Sequence, residues 1–166
     1  RMPAQCFLKG GHGRFTQQPA DQLGPYFSRK LLGRGLTRVD WNRDGREDIV
    51  ISHLDEPAAL LTNTTRTTGH FLAIELRGVM SDRDAVRSSV TVRTGQRVLV
   101  RQLTAGDGYQ ASNQRLLVFG LGDGQSADEV EIKWPSGHLQ RFVNLRADSH
   151  YIVVENRNNA FSLEKN

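Results

Sequence analysis

The sequence predicts an all-β protein, and three observations carry that prediction. Apolar residues recur at every second position in several runs of the 166-residue chain. Turns rich in Gly and Pro separate those runs at hairpin spacing. Helix signals are confined to a turn or two at Ala20–Leu23, which Gly24-Pro25 ends.

The first strands to be expected are Leu36–Val39 and Asp48–His53, joined by a short acidic loop. The polar, non-periodic stretch Asn63-Thr64-Thr65-Arg66-Thr67-Thr68-Gly69 then reads as a linker. Beyond it, Leu72, Ile74 and Leu76 alternate with Ala73, Glu75 and Arg77. Val90 and Val92 alternate with Thr91 and Arg93, and Val130, Ile132 and Trp134 with Glu131 and Lys133. A period of two places apolar side chains on one face and charges on the other, as in a sheet wet on one side. Thr94-Gly95-Gln96 and Pro135-Ser136-Gly137 fit tight turns, since Pro presets φ and Gly accepts positive φ. Antiparallel strands in a sandwich or barrel follow. The polar tail from Asn156 is expected to fray.

Composition narrows the function classes. The net charge is +4, but the arginines are dispersed and not interleaved with aromatics, which argues against nucleic acid as a partner. No apolar run approaches the ~18 residues of a membrane span. The single cysteine, Cys6, has no internal disulfide partner. A start at Arg1 suggests a piece cut from a longer chain.

The segment from Asp40 to Asp48, DWNRDGRED, carries the chemistry. Asp40, Asn42, Asp44 and Asp48 set oxygen donors at alternate positions, and the backbone carbonyl of Arg46 is placed to add another. Calcium is a hard cation that takes about six to eight oxygens. Gly45 permits the sharp turn that folds the donors around one point. An EF-hand would end in a Glu at about its twelfth position, where this chain has Ile51. The loop therefore joins two strands instead of two helices. A metal-free acidic turn is the alternative, but clustered carboxylates repel one another without a cation.

These residues carry a resemblance. Gly33–Leu36, the Asp40–Asp48 loop, Ile49–Ser52 and Leu60–Asn63 resemble one FG-GAP/VCBS repeat, the blade unit of integrin-α-like propellers. Phe7–Phe15 is similar to the end of a preceding repeat. Ser81–Ala85, Ala105–Tyr109, Arg115-Leu116 with Phe119–Gly122, and Val130–Gly137 with Gln140 resemble the ASPIC/UnbV domain, found after such repeats in the cartilage acidic protein family. One departure is Val86-Arg87-Ser88-Ser89-Val90, where that family usually has apolar-Gly-Ala-x-Val.

The resemblance implies a repeat region at 1–66 with a calcium loop, an ASPIC/UnbV domain at 67–156 and a polar tail at 157–166. It implies a blade-like set of antiparallel strands followed by a β-sandwich-like module, belonging to a larger secreted, periplasmic or cell-surface protein. The expected function is calcium-dependent adhesion or ligand binding, without catalysis. A carbohydrate-binding accessory role is the alternative, with Trp134 and Tyr109 as its weak candidate contacts. Alternation with Val130 and Ile132 favours a core position for Trp134, whereas Tyr109 lies in a Gly-rich loop. The partner is expected to be an extracellular protein or carbohydrate. Open strand edges make self-association, or pairing with the neighbouring module, a further expectation.

Overall fold

The structure, a computed structural model, describes residues 1–66 and 69–163. It is all-β; among the described residues the helical segments are one turn of α-helix, Ala20–Leu23 (α1), and short 3-10 turns at Gly11–Gly13 and Pro25–Ser28. Residues 1–61 form Met2–Pro3 (β1), Phe7–Lys9 (β2), Phe15–Gln17 (β3), Lys30–Leu31 (β4), Gly33–Val39 (β5), Asp48–His53 (β6) and Ala59–Leu61 (β7). The remainder forms His70–Arg77 (β8), Ser89–Thr94 (β9), Arg97–Gln102 (β10), Leu116–Gly122 (β11), Ser126–Lys133 (β12), Leu139–Arg146 (β13), Ser149–Val154 (β14) and Ala160–Leu163 (β15).

Small sheets make up the first part: β1-β4, β2-β3 and the three-stranded antiparallel β5-β6-β7. The second part is a sandwich of two four-stranded sheets, ordered β10-β9-β12-β13 and β11-β8-β14-β15. Alternation explains its core. Leu72, Ile74 and Leu76 of β8 meet Val90 and Val92 of β9, Phe119 of β11, Val130 and Ile132 of β12 and Val153 of β14 in one buried cluster. Two hairpins follow the turn chemistry. Gly95, at φ +55°, starts the two-residue turn between β9 and β10. At Pro135-Ser136-Gly137, the Gly137 N–H donates to the Trp134 carbonyl at 3.0 Å, and Gly137 sits at φ +89°.

Three expectations need correction. The sheets are not wholly antiparallel, because β14 runs parallel to β8, from Ser149 beside Leu72 to Val154 beside Arg77. The tail does not simply fray, because β15 pairs antiparallel with β14 from His150–Leu163 to Val153–Ala160. Its Ala160 packs against the core, an apolar contact that outweighs the polar flanks. The outer face of the β8 sheet is also not wholly wet. Val118, Ala73 and His150 lie in register across β11, β8 and β14, and all three are buried on that face. The linker expected at 63–69 falls partly outside the described residues.

Candidate functional site

The acidic loop between β5 and β6 covers that dry row. Gly45 holds φ +81°, the left-handed region that favours glycine. A Cβ at Gly45 would run into the Phe71 ring, so glycine serves both the turn and the close approach to β8. Arg38, Val39, Asp40 and Glu47 line one small gap together with Leu116 and Val118 of β11. Burial lowers the His150 pKa; Glu75 and Asp40 oppose the shift and Arg43 reinforces it. His150 Nε2 is buried with no hydrogen-bond partner among the described residues, 3.7 Å from Glu75 Oε2.

Within the loop, Asp40 and Asp48 are 5% and 0% exposed. Asp40 accepts N–H bonds from Asp44 at 3.0 Å and Gly45 at 2.9 Å. Asp48 accepts from the N–H of Trp41 at 3.3 Å and of Asn63 at 2.7 Å. Asn42 Oδ1 also accepts from the Asp44 N–H, at 3.3 Å. Asp44 differs: one oxygen accepts the Arg46 N–H at 2.9 Å, and the other takes the Asn42 amide and the Arg46 guanidinium. The donors are hard oxygens of the kind calcium takes, and each carboxylate keeps lone pairs beyond the bonds it accepts. Yet among the described residues no three His, Cys, Asp or Glu side chains are grouped to hold a metal ion. Asp44, tied to Arg46, is the donor that would have to turn.

The other sequence candidates separate. Trp134 is 1% exposed and donates its Nε1–H to Gln140 Oε1 at 2.9 Å. Its rings pack in the core, so it offers no stacking face; that corrects the weak assignment of Trp134 as a ligand contact. Tyr109 is 70% exposed, on the loop before β11. That loop has a role not foreseen from sequence. Arg38 N–H donates to Asn113 Oδ1 at 2.8 Å, Gln114 N–H donates to the Arg38 carbonyl at 3.0 Å, and Asp40 N–H donates to Gln114 Oε1 at 2.8 Å. The β5 edge is thus met within the chain by the neighbouring module. Asp107 braces the arrangement, accepting from Thr104 Oγ1 at 2.6 Å and Asn113 Nδ2 at 2.8 Å. Those bonds, Thr104 first, hold its carboxyl below the usual range.

Glu155 was also missed. It is 1% exposed, and its Oε2 accepts three successive N–H groups, from Val79 and Met80 at 2.8 Å and Ser81 at 2.7 Å. Ser136 and Ser81 hydroxyls donate to Oε1 at 2.5 and 3.0 Å. Burial alone would raise its pKa, but these bonds outweigh it and hold the carboxyl at about 2. A lone Glu at the end of a strand gives no sequence signal for such a clamp.

No helix of the described residues is long and apolar enough to cross a membrane. None of the curated proteins matches the chain. The sequence model of the family described as ASPIC and UnbV matches residues 78–160, half of the chain, and spans β9 to β14 of the sandwich. The chain belongs to the ASPIC and UnbV family.

Proposed function

We propose that this chain is a non-catalytic binding module of a secreted, periplasmic or cell-surface protein, in which calcium sets the acidic loop that joins the N-terminal sheets to the sandwich. The observation that carries this is the burial of Asp40 and Asp48, whose hydrogen-bond partners are backbone N–H groups and not cationic side chains. Buried charge is costly without a counter-charge, and among the described residues Arg46 ion-pairs with Asp44, its Nε–H donating to the Asn63 carbonyl at 3.0 Å. Asp40, Asn42, Asp44, Asp48 and the Arg46 carbonyl would hold the cation. The fit to the FG-GAP/VCBS loop pattern supports the same reading. Recognition itself falls to exposed surfaces that this loop holds in place, with an extracellular protein or carbohydrate as partner.

Calorimetric calcium titration tests the proposal. The expected result is one site on the wild-type chain, weakened about tenfold or more by Asp44→Ala. Arg46→Gln keeps the backbone carbonyl and frees Asp44, so it should tighten binding. Absence of binding heat, or one affinity for all three proteins, would count against a metal loop.

A further inference from the structure

A cleft of about 600 Å³ opens at one end of the sandwich, where the acidic loop meets the β13–β14 turn. Arg43 reaches it from the loop and Arg146 from the end of β13. Neither guanidinium makes an ion pair or a side-chain hydrogen bond among the described residues, whereas Arg77, Arg93, Arg101, Arg115 and Arg141 of the sandwich are each ion-paired. The rest of the wall is rich in neutral polar groups, including Gln125, Ser149 and Ser162. The Ser162 hydroxyl has no partner among the described residues.

The wall is rigid. Ala147 N–H donates to the Gln125 carbonyl at 2.9 Å, and Asp148 N–H donates to the Phe71 carbonyl at 2.7 Å. Among the described residues that line the cleft, the one carboxylate, Asp148, is already engaged by His70 Nδ1 at 2.6 Å and the Phe71 N–H at 3.3 Å. Among the described lining residues, two guanidiniums without an ion-pair partner therefore dominate the charge.

We propose that this cleft binds an acidic oligosaccharide of the hexuronate class, with Arg43 and Arg146 taking its carboxylates and the wall hydroxyls and amide taking its ring hydroxyls. Guanidinium forks match carboxylates in geometry, and a fixed wall lowers the ordering cost of binding. The volume lies within the range of ordinary ligand sites and leaves room for a short oligosaccharide. The proposal rests on the loop reading above, because the loop positions Arg43.

The test is calorimetric titration of the full chain with a β-linked trimer of glucuronate, with neutral cellotriose and with inorganic sulfate, in calcium and in chelator. The uronate trimer should bind saturably in calcium, and Arg43→Gln and Arg146→Gln should each raise its Kd about tenfold or more. Both positions are exposed, so the fold should survive; circular dichroism checks this, and Arg14→Gln, an exposed change on the N-terminal sheets, serves as the control. Absence of uronate binding overturns the proposal, as does binding that ignores both cleft variants. Equal affinity for cellotriose or for sulfate also overturns it, showing a general sugar or simple anion site. Uronate binding that is equal in chelator keeps the cleft and discards calcium as its organiser. A calcium response without uronate binding does the reverse.

Discussion

At the scale of single residues, the departure at Val86–Val90 has a physical cost. Arg87 sits at φ +77°, a left-handed conformation that a side chain resists and that glycine takes freely. Ser88 is fully buried, and its Oγ has no hydrogen-bond partner among the described residues. The family pattern places Gly and Ala at these two positions, the residue types the backbone and the core would prefer. Ser88→Ala should therefore stabilise the chain by about 1 kcal/mol or more, since it removes an unsatisfied buried hydroxyl. Arg87→Gly should add up to about 1 kcal/mol, less the chain entropy that glycine brings. Urea unfolding measures both. A loss of stability on Ser88→Ala would mean that the hydroxyl has a partner, such as a buried water.

Among the elements, the acidic loop depends on its contact with β8. Gly45→Ala should cost about 2 kcal/mol, because it meets both positive φ and the Phe71 ring. Phe71→Leu in the same chain should restore part of that loss. A cost under about 0.5 kcal/mol would show a loop that does not dock. Strand positions and hairpins around the loop were legible, because alternation and turn residues are local signals. Asp40–Asp48 stood out for the same reason. The clamp at Glu155, the cover of the β5 edge by Asn113 and Gln114, and the dry row of Val118, Ala73 and His150 were not legible. Each joins residues far apart in the chain, and no local pattern records which distant N–H a carboxylate or amide will meet. The final strand β15 was hidden in the same way, its polar sequence being read without the open edge of β14 that it pairs with.

For the whole molecule, acid stability turns on Glu155, which ties the Val79–Ser81 segment and the Ser136 turn to the end of β14. Its folded pKa of about 2 lies below the ordinary 4.5. The unfolded chain thus binds the proton more readily, and the clamp's contribution is fully present above about pH 4.5. It is lost as pH falls from there toward 2. Glu155→Gln should be clearly less stable than wild type at neutral pH, with the gap closing over that acid range in urea unfolding. A gap that stays constant with pH would remove the carboxylate charge as its source.

The N-terminal sheets, the acidic loop and the sandwich then form one chain of dependence, with buried Asp40 and Asp48 at its centre. Thermal unfolding in calcium and in chelator, for wild type and Asp40→Ala, tests that dependence most directly. Wild type should melt about 5 °C or more higher in calcium at about a hundredfold excess over Kd, and Asp40→Ala should show little difference between the two buffers. Equal melting of wild type in both buffers, with Asp40→Ala equally weakened in each, would reduce the loop to an acidic turn held by its own backbone.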